Sequence, residues 1–242
     1  MAHSRNESPS APEPRTRPKA CVSWSSGKDA AFALWESVRQ GEFDVAGLMT
    51  TVNVSPSRVA VHSVREALLD LQSAALGLPC LKVELPTHCP NDIYEARMSQ
   101  AAAELADKGI THIIFGDLFL DDIRTWRDER LARWGLTPVY PLWGRDTAAL
   151  AREMIASGLV AHLACVDSRR LSPDFAGRRF DTAFLESLPA GVDPCGENGE
   201  FHTAVTDSPL FASPIPVRLG GVSERNGFVY ADIVPDPAAG TA

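Results

Sequence analysis

The stretch Cys21-Val22-Ser23-Trp24-Ser25-Ser26-Gly27-Lys28-Asp29-Ala30 constrains the fold more than any other segment. It passes from β-forming residues at 19–24, through a turn of small residues, into a segment whose apolar positions Ala31, Leu34, Trp35 and Val38 recur at helical spacing. A strand that turns at once into a helix carries the helix N-terminus to the strand's end. Unpaired N–H groups and about half a positive charge of helix dipole face outward there. Ser25, Ser26 and Lys28 add side-chain donors, which suits a phosphate or pyrophosphate. The competing reading is a plain strand-to-helix turn with no ligand.

Two better-known anion loops do not fit. A Walker A loop needs Gly six residues before its Lys-Ser/Thr pair, where this chain has Val22, and Asp29 after Lys28 has no hydroxyl for magnesium. A dinucleotide fingerprint needs three spaced glycines, and only Gly27 is present.

Beyond this unit, apolar runs suited to strands alternate with helical patterns. Strands are expected over 43–54, 80–85, 111–115, 136–142 and 159–166. Helices fall between them: one on Val64, Leu68, Leu71 and Ala75, one opened by Asp92 with Glu95 as a capping box, one over 121–134, and one capped by Asp146 or Thr147. Such alternation predicts an α/β fold with a doubly wound parallel sheet. After about 167 the pattern gives way to a short helix near 181–188, a turn-rich segment and a terminal hairpin over 217–233. The expected domains are a disordered tail at 1–18, a nucleotide-binding domain at 19–166, a smaller C-terminal substrate region at 167–234, and a tail at 235–242.

Composition narrows the partners. A net charge of −8 argues against nucleic acid and anionic membrane. Neither a signal peptide nor a run of about 18 apolar residues is present. Cysteines at 21, 80, 89, 165 and 195 are odd in number and lack CxxC spacing, so neither a disulfide framework nor a zinc knuckle is expected. A cytoplasmic location follows as the expectation, with a homodimer as one expected assembly.

Ligands of open α/β sheets sit at the carboxyl ends of the strands, where the first loop, the 53–62 segment and Gly116-Asp117 should converge. Gly116 would admit an adenine or ribose closely. Asp117 is a candidate for magnesium, or for capping the following turn. Arg124 and Arg127 lie three apart on one helix and Arg124 is the better phosphate candidate, while surface pairing with Asp121, Asp128 or Glu129 is the expected use of at least one of the two. His62 is a loop candidate for substrate. The stretch Asp193-Pro194-Cys195-Gly196-Glu197-Asn198-Gly199-Glu200-Phe201-His202-Thr203 packs carboxylates, an amide, a histidine and a hydroxyl around two glycines. A tight loop there would aim Glu197, Asn198 and Glu200 at one point; a solvated turn is the alternative.

Ser-Ser-Gly-Lys-Asp-Ala resembles the pyrophosphate loop of the N-type ATP pyrophosphatases, usually Ser-Gly-Gly-Lys-Asp-Ser, with Ser26 in place of a glycine and Ala30 in place of the last serine. Gly-Glu-Asn-Gly-Glu-Phe-His-Thr resembles the second signature of the diphthine–ammonia ligase family. Gly116-Asp117 and Pro141-Leu142-Trp143 extend the likeness over about 19–203. Of the basic positions in the eukaryotic members' Gln-Arg segment, Arg124 is the one that matches. The Ala- and Arg-rich composition is compatible with a bacterial member.

The resemblance implies a HUP-type fold and an ATP- and magnesium-dependent, AMP-forming ligase that adenylates a carboxylate and transfers ammonia or an amine. It implies ATP contacts from Ser23, Ser25, Ser26, Gly27, Lys28, Asp29, Gly116, Asp117 and Arg124, and magnesium at Asp29 and Asp117. Lys28 would offset charge on the leaving pyrophosphate. Glu197, Glu200 and His202 would orient the nucleophile or accept its proton, and His62, Asn198, Gly199 and Thr203 would meet the acceptor. A non-catalytic ATP sensor and an RNA-modifying enzyme of the same superfamily are the alternatives.

Overall fold

The chain builds two sheets with a helix buried between them. The computed structural model describes residues 16–53, 58–59 and 64–236. Most of the expected tails, and His62, lie outside the described residues.

The first sheet contains β1 (Lys19–Ser23), β2 (Asp44–Asn53), a two-residue β3 (Arg58–Val59), β4 (Cys80–Leu85), β5 (Ile110–Ile114) and β6 (Thr137–Val139). Five of these are parallel, in the order β4-β2-β1-β5-β6, and β3 adds antiparallel to the end of β2. The crossovers are α1 (Lys28–Gln40), α2 (Glu66–Leu76), α3 (Asn91–Asp107) and α4 (Asp121–Arg133). Strands step outward from β1 to β4, and α3 then returns the chain to β1's other side. The topological switch point therefore lies between β1 and β5, where a ligand crevice is expected. The capping box expected at Asp92 is not formed, because α3 begins one residue earlier behind Pro90, and Glu95 pairs with Arg130.

After α5 (Thr147–Ala156), capped by Asp146, come β7 (Val160–Asp167), a short α6 (Thr182–Glu186), β8 (Phe201–Asp207), β9 (Val217–Arg225) and β10 (Phe228–Pro235). These four strands form an antiparallel sheet in the order β8-β7-β10-β9. The run at 159–166 was expected to continue the parallel sheet, and it instead joins this second one. A strand buried on both faces has the same apolar sequence in either setting, so its partners alone decide. The terminal hairpin is present as expected, turning on Asn226 and Gly227, both with positive φ.

Helix α1 explains how the sheets meet. Ala30, Ala31, Phe32, Ala33 and Leu34 are all buried, so the helix is apolar on nearly every side of its first half. Its core continues through Leu150 and Met154 of α5 into Phe180, Phe184, Phe201 and Val205 of the C-terminal half. A separate cluster, including Met98, Leu105, Ile113 and Leu131, fills the opposite face of the parallel sheet. Among the described residues no helix is long and apolar enough to cross a membrane.

Candidate active site

The loop between β1 and α1 is held from behind by the second sheet. Ser23 ends β1 opposite Met49, and Trp24 N–H donates to Met49 O at 2.7 Å. Ser26 is fully buried with φ 69°, a left-handed conformation that favours glycine. Its carbonyl accepts from Val205 N–H of β8 at 2.9 Å and from the Gln72 amide of α2 at 3.2 Å. The Ser26 hydroxyl has no partner among the described residues. Ser25 Oγ accepts from Gly27 N–H at a long 3.4 Å, and Gly27 caps α1 through its backbone alone. Thr203 Oγ1 accepts from Lys28 N–H at 3.0 Å. Three segments far apart in sequence therefore shape one turn.

Lys28 is buried, and its ammonium turns inward. It contacts both carboxylate oxygens of Asp29 at 2.9 Å and donates to Cys195 O, with the Phe180 and Phe201 rings 5.5 and 5.3 Å away. Burial alone would depress its pKa, but Asp29, Cys195 and Glu197 together hold it above the ordinary lysine value. The lysine thus links the loop to the C-terminal segment.

At Gly116 the close approach that the structure displays is the chain's own. A Cβ there would stand 2.6 Å from Asp29 C and 2.7 Å from Ala30 N, so the missing side chain admits the first turn of α1. Asp117 follows and pairs with Arg127 at 3.3 Å. Burial lifts the Asp117 carboxyl above its ordinary range; Arg127 opposes this and Asp29 adds to it. Arg124 instead lies over the Tyr140 and Trp143 rings, 4.8 and 4.5 Å from their centroids. Of the two arginines, Arg127 is the one whose position on α4 reaches back to the carboxylate at the β5 end.

The 193–203 segment divides its carboxylates rather than converging them. Glu200 is fully buried, and its Oε1 accepts from Asp193 N–H, Asn198 Nδ2 and Arg170, each at 3.2–3.3 Å. It ties the turn together, with Gly196 and Gly199 at positive φ. Glu200 Oε2 has no partner among the described residues. Glu197 turns the other way and accepts from Leu118 N–H at 2.7 Å. Burial pushes its carboxyl up to about 7; Leu118 N–H and Lys28 oppose the shift, and Asp29 and Asp117 add to it. His202 lies between Phe201 and Thr203 on β8, so the strand's alternation turns it away from the face where Thr203 meets Lys28. Cys195 is buried, and burial pushes its thiol above the ordinary range.

Lys28, Asp29, Asp117 and Glu197 are thus electrostatically coupled at the β1/β5 switch point. Among the described residues no set of three or more His, Cys, Asp or Glu side chains is grouped to hold a metal ion. The carboxylates of Asp29 and Asp117 suit a hard cation that takes its remaining ligands from phosphate and water.

Comparison with known proteins bears on this arrangement. The profile of the diphthamide synthase N-terminal domain matches residues 18–138, and that of the diphthamide synthase C-terminal domain matches residues 146–231. The chain belongs to the diphthamide synthase family. It is 31% identical over 219 residues to a diphthine–ammonia ligase of Danio rerio, covering 79% of this chain and 83% of the relative. The Homo sapiens diphthine–ammonia ligase is 28% identical over 234 residues, covering 86% of each. A U34-tRNA thiolase, NcsA from Methanococcus maripaludis with its [4Fe-4S] cluster, aligns over 59% of this chain and 58% of its own at 13% identity and a TM-score of 0.36, too remote to bear on function.

The junction between the two diphthamide synthase domains falls just before α5, so β7 belongs with the C-terminal match. Sequence reasoning missed Gln72 and the closeness of Arg127 to Asp117. Gln72 had a signal: it stands four residues after Leu68 and three after Leu69, in line with the helix's buried face.

Proposed function

We propose that this member of the diphthamide synthase family is an ATP-dependent, amide-forming ligase that releases AMP and pyrophosphate. The observation that carries the reading is the coupled group Lys28, Asp29, Asp117 and Glu197 at the switch point, beside the N-terminus of α1. The pyrophosphate of ATP lies on the 25–29 loop, met by backbone N–H groups, the Ser26 hydroxyl, which has no partner among the described residues, and the field of Lys28. Asp29 and Asp117 would hold Mg2+, which would neutralise phosphate charge.

A carboxylate oxygen of the acceptor attacks the α-phosphorus, and the bond to the β-phosphate oxygen breaks. An acyl-adenylate forms and pyrophosphate leaves. Ammonia then attacks the acyl carbon and AMP departs, giving the amide. The proton lost by nitrogen passes to Glu197, whose carboxyl near 7 matches a base working at neutral pH. Glu200 acts indirectly by holding the turn that presents Glu197. The acceptor is a carboxylate, with diphthine, named in the relatives, as the first to try.

The test is incubation of the purified chain with α-labelled ATP, Mg2+ and ammonium, with and without a diphthine-bearing acceptor or a small-molecule extract. Acceptor-dependent AMP with pyrophosphate is the expected result. ATP binding without turnover under every condition would favour a nucleotide sensor instead.

A further inference from the structure

We infer that Gln72, a residue of α2, is the positioning residue that aims the 25–29 loop at its anion; this rests on the reading of that loop as a pyrophosphate site. Gln72 is fully buried on a helix face shared with Leu68 and Leu69, where an apolar residue would otherwise pack. Its amide oxygen accepts from Trp24 Nε1 at 2.9 Å. Its amide nitrogen donates to Ser26 O at 3.2 Å and to Val205 O at 2.7 Å. The indole N–H can only donate, so the amide oxygen must face Trp24 and the two N–H bonds must face the carbonyls.

The consequence for the loop follows from peptide geometry. The C=O of Ser26 and the N–H of Gly27 share one plane and point in opposite directions. Gln72 and Val205 N–H together occupy the Ser26 carbonyl from the β8 side. The Gly27 N–H is thereby turned away from β8, toward Ser25 Oγ at a long 3.4 Å, on the side where the N-terminus of α1 opens. Ser26 is left-handed without being glycine, so an outside hold on its carbonyl is what keeps this turn in place. The same amide binds Val205 O, so this side chain joins the loop to β8, the strand that follows the 193–200 turn, beside the Val205 N–H and Thr203 links.

The test compares wild type with Gln72→Met, which keeps the volume and removes all three hydrogen bonds. Calorimetry reads the affinity for inorganic pyrophosphate and, separately, for adenosine, which has no phosphate to meet the loop. Pyrophosphate affinity is expected to fall about 10- to 100-fold while adenosine affinity stays within about twofold, since a small misplacement of binding groups has large effects. Equal weakening of both ligands, or none, overturns the proposal. Trp24→Phe, which removes the donor that orients the amide together with part of the buried indole, covers the case in which Gln72→Met does not fold. It should weaken pyrophosphate about three- to tenfold with adenosine unchanged, and wild-type pyrophosphate affinity in that variant overturns the proposal as well. Failure of wild type to bind pyrophosphate would instead remove the reading of the loop itself.

Discussion

The hydroxyl of Thr203 on β8 accepts a hydrogen bond from the backbone N–H of Lys28 at 3.0 Å, joining residues 175 positions apart. The first N–H of a helix has no intrahelical partner, and here the second sheet supplies it. Thr203→Val keeps the shape and removes the acceptor. A buried donor left unsatisfied costs about 1–3 kcal/mol, so the variant's urea midpoint should drop by that equivalent. Wild-type stability would mean that the two sheets are not joined through this bond.

Lys28 ties the loop to the C-terminal segment, and the chemical role proposed for it separates from that one by substitution. Lys28→Met keeps the apolar stem between Phe180 and Phe201 but leaves Asp29 and Cys195 O without their cation. Asp29 is partly exposed, so the lost pair should cost only about 1–3 kcal/mol, below the range for a fully buried one. Pyrophosphate release should fall by at least about 100-fold, the scale for loss of a transition-state charge partner. Thermal unfolding and a pyrophosphate assay on the same preparation check both. A stable variant with full turnover would remove Lys28 from the chemistry.

The turn from β1 into α1 and the parallel sheet could be read in advance because strand and helix periodicities are local and the loop's small residues are distinctive. The direction of Lys28 could not. A lysine in an anion loop is expected to face the phosphate, and its inward turn depends on Cys195, Phe180 and Phe201, which arrive with the second sheet. Glu197 and Glu200 look equivalent in Gly-Glu-Asn-Gly-Glu, yet one closes the turn on itself and the other reaches Leu118. Gly116 was legible as a point of close approach, but what approaches is backbone of the chain itself. Composition and spacing specify the need for such contacts; tertiary packing selects the partner.

Ser26→Gly replaces a left-handed residue with one that tolerates the conformation. The relief is about 1–2 kcal/mol, offset by about 0.5–1 kcal/mol for glycine's greater freedom when unfolded. A net gain of roughly 0.5–1 kcal/mol in chemical denaturation is expected. Pyrophosphate affinity should fall a few-fold at the same time, because the unpartnered hydroxyl is lost. Higher stability with unchanged pyrophosphate affinity would show that the hydroxyl does not meet the ligand.

Gly116→Ala tests the contact between β5's end and α1. The added methyl would meet backbone atoms of Asp29 and Ala30 at 2.6–2.8 Å, which cannot rotate away. Overpacking of this kind costs about 1–3 kcal/mol. The shift needed to relieve it moves Asp29 and the loop, so kcat/KM for ATP should fall about 10- to 100-fold. Unaltered kinetics in a folded variant would mean that the loop does not need this spacing.

Glu197 predicts opposite trends for activity and stability with pH. Its carboxyl ionises at about 7 when folded and near 4.5 when unfolded. Between those values the folded state holds the proton and the unfolded state does not, so this group's contribution to stability falls as pH rises through that window. A base must be ionised, so amide formation should rise with pH and level off above about 7. Glu197→Gln should abolish that ascending limb and lower the amide-forming rate about 100- to 10,000-fold, the range for general base catalysis. Its stability should lose the decline that wild type shows between about pH 4.5 and 7. Pyrophosphate release in the first half-reaction should change far less. A rate profile that keeps its limb in Glu197→Gln would assign the titration to another group, with Asp117, whose carboxyl burial also lifts, the first to test by Asp117→Asn.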